Sequence, residues 1–345
     1  MIKIKFGIAG LGRIGKIHLD NLLQMDELEV VAVADLTVLD SPSLLKRLAI
    51  KGIDLVTTSY ETMINSKTLD AVVICTPNES HADYIEIAAK AGIHIFCEKP
   101  LDLNLNRVVK VLSVVKDSGV KLMLGFNRRF DKEFIKIHDL VEEGEVGTPH
   151  LVKITSRDPG APPISYIKKS GGLFLDMTIH DFDMARYIVG KEVTEVYAKG
   201  AVLVDKKIGE AGDIDTAIVI LTYEDQSMAI IDNSREAKYG YDQRIEVFGS
   251  KGMVQSNNNF HDSHRLFTVA GVEASLPLHF FLERYAEAYK NELLDFLGCL
   301  VNGDSLPVNG QDGLISLKIG LAALKSIKEE RPVTVSYTHL RAHET

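Results

Sequence analysis

The sequence predicts two domains of different class: an α/β domain on a parallel sheet, then an α+β domain with a largely antiparallel, open-faced sheet. Three observations carry this. In the first third of the chain, short β-branched apolar runs alternate with helical patterns. A glycine-rich turn, Gly10–Gly15, directly follows the first of those runs. After Gly125 the texture changes to strand-like segments with few helices between them. Strand–helix alternation favours parallel βαβ units covered on both faces, and consecutive strands with short links favour antiparallel pairing.

Taken in order, strands are expected at Ile2–Ile8, Val30–Ala34, Ala71–Cys75, His94–Cys97 and Leu122–Gly125. Helices are expected at Ile14–Met25, Ser80–Ala91 and Leu103–Ser118. Beyond them the pattern predicts a helix over Phe130–Glu143, a strand over His150–Ser156 and a helix beginning near Asp176. Strands at Val193–Val204, Ile214–Tyr223, Met228–Ser234, Arg244–Phe248 and Leu266–Val269 follow, with a hairpin turn at Glu224–Gln226. Helices near Phe281–Leu300 and Gln311–Lys328 close the chain. A length of 345 residues suits two cores, which we place at 1–124 and 125–334. Residues 335–345 read as translated sequencing adaptor; they are assigned no function, and His339 and His343 no chemistry.

Composition excludes several classes of function. A net charge of -9 is the wrong sign for a nucleic-acid footprint. No apolar run reaches the ~20 residues that span a bilayer, and the N-terminus lacks the shape of a signal peptide. Cys75, Cys97 and Cys299 are too widely spaced for a disulfide framework or a zinc site, and are expected to be buried thiols of a cytoplasmic protein.

The turn carries Gly10, Gly12, Arg13, Ile14 and Gly15 in the pattern G-x-G-x-x-G. Glycine there lets the backbone turn tightly and approach a pyrophosphate, while the helix behind it offers free N–H groups. Asp35 ends the second strand twenty residues after Gly15, where a carboxylate accepts from both ribose hydroxyls and repels a 2′-phosphate. The pair points to NAD over NADP. Thr76, Pro77 and Asn78 follow the next strand at the sheet's carboxyl edge, with Asn78 also a candidate helix cap. His81, one turn further, either reaches the cofactor or faces solvent.

Two constellations carry chemistry. Glu98, Lys99 and Pro100 end an apolar strand, and a lysine there can donate to a substrate hydroxyl or developing alkoxide; the bland alternative is a surface ion pair. Asp176 and His180 are four residues apart, hence on one helical face. Oxidising a secondary alcohol needs a base for the hydroxyl proton while hydride leaves, and histidine suits that step. The alternative is a capped helix with a satisfied histidine, Asp181 and Asp183 being solvated or capping charges. Hydride transfer to NAD needs no metal, and none is expected.

These motifs, in this order, resemble the glucose–fructose oxidoreductase/inositol dehydrogenase/rhizopine-catabolism (Gfo/Idh/MocA) family over residues 1–334. The segments Thr155–Ile167, Asp176–Arg186, Asp232–Arg235 and Tyr239–Arg244 are similar to its bacterial myo-inositol 2-dehydrogenases. The resemblance implies oxidation of myo-inositol to scyllo-inosose with NAD, Lys99, Asp176 and His180 as catalytic trio, and a homotetramer packed through the substrate-domain sheets. It adds Asn127, Arg128, Arg157 and Tyr239 as substrate contacts. One departure is the short segment after Asp35, where Asp40, Ser41 and Pro42 replace a longer helix. Readings left beside it are another polyol dehydrogenase, such as one for scyllo-inositol, an NAD-dependent glycosidase and a non-catalytic sugar sensor.

Overall fold

A computed structural model describes residues 3–337, which fall into two compact units. The first comprises the chain up to Asn127 together with Glu287–Leu314; the second comprises Arg128–Ala286 and the chain from Ile315.

The first unit holds β1 (Ile4–Ala9), α1 (Arg13–Leu22), β2 (Leu28–Ala34), α2 (Pro42–Ile50), β3 (Leu55–Thr57) and α3 (Tyr60–Asn65). It continues with β4 (Ala71–Ile74), α4 (Asn78–Lys90), β5 (His94–Glu98), α5 (Leu105–Ser118) and β6 (Leu122–Gly125). All pairings are parallel, in the order β3-β2-β1-β4-β5-β6. β4 is buried from end to end, as a strand covered on both faces must be. Between β1 and β4 the winding reverses, and the carboxyl ends there form the crevice in which such sheets bind ligands.

The elements between Asp35 and β4 are short and were not expected. A 3-10 turn at Val38–Asp40 leads into α2, whose first residue is Pro42, and Ser59 caps α3 by accepting from Thr62 N.

The second unit begins within a 3-10 turn at Asn127–Phe130. It contains α6 (Lys132–Glu142), β7 (Pro149–Arg157), α7 (Ile164–Ser170), a π-helical turn at Leu173–Met177, α8 (Ile179–Val189) and β8 (Val193–Ala201). Then come α9 (Lys206–Glu210), β9 (Thr216–Tyr223), β10 (Met228–Ser234), β11 (Asp242–Gly249), β12 (Met253–Gln255) and the small hairpin β13 (Arg265–Thr268) and β14 (Gly271–Ala274). Closing the chain are α10 (Phe281–Arg284), α11 (Ala286–Asn302), α12 (Gly310–Glu329) and β15 (Val333–Thr334). The seven-stranded sheet runs β12-β11-β7-β10-β9-β8-β15, antiparallel except for the β7–β10 pair.

Strand alternation gives this sheet two different faces. Val196, Val219, Leu221, Ala229, Val152 and Val247 are buried, and α6 and α8 pack on β7 and its neighbours. On the other face Tyr197 lies opposite Ile220, Met228 beside Leu151, and Phe248 opposite Met253. Ile218 on that face is 55% exposed and Met253 52%. This is the open face expected from the sequence.

Two expectations need correction. The sequence assigned everything after residue 125 to the second domain, yet 287–314 groups with the first unit. The cause is the apolar stripe of α11: Phe296 packs edge-on against Phe6 and tilted against Phe96 under the parallel sheet. The helix expected over Phe281–Leu300 is also broken, with Tyr285 non-helical between α10 and α11. Of the adaptor-like segment, Val335 is buried and donates to Thr194 O, and the Tyr337 hydroxyl donates to Val193 O; 338–345, with His339 and His343, lie outside the described residues. Among the described residues, no helix is long and apolar enough to cross a membrane.

Candidate active site

In the first unit, four neighbouring strands end in the residues the sequence singled out: β1 in Gly10, β2 in Asp35, β4 in Cys75–Thr76 and β5 in Glu98–Lys99. Gly10 has φ +85°, and a Cβ there would lie 2.7 Å from the Cys75 carbonyl. A Cβ on Gly15 would fall 1.9 Å from Gly10 O, so the third glycine is what lets α1 start against the loop. Gly12 differs: a Cβ would meet nothing within 4 Å. It caps α1 without a side-chain bond, and no acidic residue sits in the first turn, which with Arg13 and Ile14 leaves a helix start suited to an anion. The backbone is bare on the side from which a pyrophosphate approaches, so the loop fits the cofactor.

Asp35 is braced by the glycine loop and its own turn. One carboxylate oxygen accepts from Leu11 N at 2.7 Å, the other from Thr37 N at 2.8 Å and the Thr37 hydroxyl at 2.9 Å. Burial opposes its charge, but these donors and Lys16 outweigh it and lower its pKa. The oxygen that accepts from Leu11 keeps a lone pair for a further donor, while Thr37 takes up both lone pairs of the other.

Thr76 accepts from the Ser80 hydroxyl at 2.7 Å. Asn78 is the first residue of α4 and not its cap; Pro77 occupies the cap position, with no side-chain bond. His81 is buried, which removes the solvent-facing alternative: its ring nitrogens lie 2.7 Å from Pro100 O and 2.7 Å from Thr76 O. Burial pushes its pKa down against the pull of those carbonyls. The ring thus sits between the Thr76–Asn78 turn and the segment that follows Lys99, its one N–H in the neutral form donating to one of the two carbonyls. Glu98 forms no simple surface pair; it turns inward, 2.7 Å from His18 Nε2 on α1. Cys97 and Cys299 are buried and Cys75 is half-buried; all three are free thiols.

In the second unit, Asp176 stands on the π-helical turn and His180 in the first turn of α8. Asp176 accepts from the Tyr166 hydroxyl at 2.9 Å, and Arg235 Nη1 lies 3.7 Å from its other oxygen. Arg235 also faces Asp213, which accepts from Leu173 N and crowds Gly172, where a Cβ would lie 2.6 Å from its oxygen. That glycine, at φ +79°, lets the turn carrying Asp176 form.

α8 is anchored by two buried charges, which rules out the solvated role that one alternative gave Asp181 and Asp183. Asp181 and Asp183 are fully buried. Asp181 pairs with Arg128 and accepts from Asn233 at 2.9 Å; Asp183 takes Arg129 in two parallel bonds. Burial raises the Asp181 pKa, opposed by Arg128 and Asn233. Arg128 also donates to the Ser156 hydroxyl at 3.2 Å, and Asn127 is buried with its amide nitrogen lacking a partner. Neither arginine–aspartate pair was legible, although the adjacent arginines and the Asp-x-Asp spacing were in view. A further carboxyl, Asp158, is pushed up to about 7 by burial, with Asp176 and Asp181 adding to the shift and Arg235 and Arg128 opposing it.

Arg157 and Tyr239 are gathered into a different cluster. The alternation that turns Ser156 toward α8 turns Arg157 to the open face. There it bonds Asp232 at 2.9 Å and the Tyr239 hydroxyl at 3.1 Å, which in turn donates to Asp242 at 2.5 Å. No metal-ligating geometry surrounds Asp176 or His180 among the described residues.

Residues 4–126 match the family model described as an oxidoreductase family with an NAD-binding Rossmann fold, and 134–255 match the GFO/IDH/MocA C-terminal domain. A myo-inositol 2-dehydrogenase of Thermotoga maritima is 46% identical over 96% of this chain and 98% of its own. An inositol 2-dehydrogenase of Rhizobium meliloti is 46% identical over 96% of this chain and 99% of its own. The crystal structure of a scyllo-inositol dehydrogenase from Lactobacillus casei with bound NAD(H) and scyllo-inositol superposes with a TM-score of 0.89 at 32% identity, covering 97% of this chain and 99% of that one. The chain therefore belongs to the GFO/IDH/MocA oxidoreductase family, an NAD-binding Rossmann domain joined to that family's C-terminal domain.

Proposed function

We propose that this protein is an NAD-dependent inositol 2-dehydrogenase, oxidising myo-inositol at its axial 2-hydroxyl to scyllo-inosose. The observation that carries the reading is the 46% identity, over nearly the whole of both chains, to the Thermotoga maritima myo-inositol 2-dehydrogenase. NAD, when bound, supplies the hydride acceptor. The chain's own residues do the rest. His180 takes the hydroxyl proton. Asp176, held by Tyr166 and faced by Arg235, orients that imidazole or a neighbouring hydroxyl. Lys99 donates to the oxygen as it gains negative charge. Asn127, Arg128, Arg157 and Tyr239 supply polar contacts to the ring hydroxyls, Arg128 being held by Asp181 and Arg157 by Asp232 and Tyr239.

The same reading makes the protein a cytoplasmic homotetramer. Its support is the exposed apolar row on the open sheet face, which a symmetric assembly would cover, and three cysteines that form no disulfide.

The test is a panel of polyols with NAD or NADP, followed by absorbance of the reduced nicotinamide. NADH formation with myo-inositol, faster than with scyllo-inositol, is the expected result. Faster turnover of scyllo-inositol reassigns the stereochemistry. No signal with any inositol, with NAD binding intact, overturns the reading.

A further inference from the structure

Behind the strand end that carries Lys99, three ionisable side chains meet inside the first unit. His18 comes from α1, Glu98 from the end of β5, and Glu292 from α11. His18 and Glu292 are wholly buried and Glu98 nearly so. His18 Nε2 lies 2.7 Å from Glu98 and 3.8 Å from Glu292. Neither oxygen of Glu292 has a hydrogen-bond partner, and neither has His18 Nδ1. Phe96 and Tyr289 enclose the imidazole edge to face.

These positions fix the chemistry of the cluster. A buried Nδ1 without an acceptor carries no proton, so the ring's proton sits on Nε2 and is donated to Glu98. A fully buried carboxylate with no donor, beside a second carboxylate, is held as the acid. Burial, and then the charge of Glu98, push the Glu292 carboxyl well above the usual carboxylate range. The other titratable groups facing the cluster are the thiols of Cys75 and Cys97 and the Tyr289 ring; burial raises both thiols, so neither supplies charge. A shared cation fits poorly: at bond lengths of about 2.1 Å its ligands would stand about 3.4 Å apart, not at hydrogen-bond distance.

The His18–Glu98 bond joins the helix that starts at the cofactor loop to the strand that delivers Lys99. We propose that His18 and Glu292 are positioning residues for the chemistry at Lys99: the His18 ring locks Glu98 to α1, and Glu292 closes the buried side of that lock. This rests on the reading that gives Lys99 its role. Displacing the strand end by a fraction of an ångström would misplace the lysine without removing it.

The test compares His18→Phe, which keeps a ring but loses the donor, with His18→Gln, whose amide nitrogen falls near the Nε2 position. For His18→Phe we expect kcat to fall roughly tenfold to a hundredfold while NAD affinity stays within about twofold. His18→Gln should recover most of the turnover. Equal effects of the two substitutions, or none, overturn the proposal. Should His18→Phe fail to bind NAD, infrared difference spectra decide: Glu292→Gln must remove a carboxylic-acid carbonyl band, and an unchanged band region, or stoichiometric metal in the purified protein, contradicts it. A wild-type protein inactive on every inositol would sink the functional reading alone, leaving the infrared result and the Nε2–H tautomer by nitrogen NMR to judge the lock.

Discussion

Arg129 holds Asp183 through two parallel hydrogen bonds, 2.8 Å from Nε and 2.7 Å from Nη2, with both side chains buried. The pair fixes helix α8 to the 3-10 turn 54 residues upstream, and its guanidinium also lies 5.0 Å over the Tyr187 ring. Removing one partner strands the other as a buried charge. Arg129→Met should therefore cost about 3–5 kcal/mol in urea unfolding. Asp183→Leu combined with Arg129→Met should recover much of that loss, and equal losses in the single and double variants would refute the pairing argument.

His180 and Lys99 should separate binding from chemistry. His180→Ala is expected to lower kcat by about 10²–10⁴-fold, the range for loss of a general base. Lys99→Ala should lower it by about 10²–10³-fold, as for loss of an oxyanion donor. Both should keep cofactor affinity, measured by titration of NADH fluorescence, since the chain has no tryptophan. Unaltered turnover in His180→Ala would remove it from the base role.

Asp35 has a pKa below its ordinary value, so it stays ionised as the medium acidifies. Its contribution to NAD affinity is present above the usual carboxylate pKa and is lost only as pH falls through the lowered folded value. The ratio of NAD dissociation constants, Asp35→Asn over wild type, should thus exceed about tenfold and stay constant between about pH 8 and pH 5. A ratio that collapses over that range would contradict the bracing by Leu11 and Thr37.

Asp158 works with the opposite sign. Its carboxyl is raised to about 7, so between the unfolded value and that point the folded chain holds a proton the unfolded chain has released. Stability then falls as pH rises through this window. Asp158→Asn should raise the urea midpoint relative to wild type, by more at about pH 8 than at about pH 4. A pH-independent difference would show that Asp158 is not held protonated.

Ile218, 55% exposed on the open sheet face, tests assembly. Ile218→Asp should leave the fold intact and reduce the oligomer seen by light scattering. An unchanged mass would place the contact elsewhere.

What the sequence made legible followed local pattern. β4 and β5 are β-branched or aromatic runs buried on both faces, and the glycines of the loop are required by contacts one residue away, so both could be read directly. Asp176 and His180, expected on one helical face, stand on two elements, a π-helical turn and the start of α8, a break that no local signal marked. The rest depended on contacts distant in sequence. Nothing local shows that Phe296 packs on Phe6, that Arg128 reaches Asp181, or that Glu292 meets His18. β3, at three half-buried residues, is too short for any periodicity to mark it. The Arg157–Asp232–Tyr239 cluster was not legible either, because a one-residue step along β7 changes the face and a motif string does not record which face each residue takes.

The most direct test of the central claim uses myo-inositol deuterated at C2, with NAD and the purified protein. The account predicts that the label is transferred to the reduced nicotinamide and that the recovered product is the 2-ketone. Reduced nicotinamide without the label, or a ketone at another ring carbon, would contradict it.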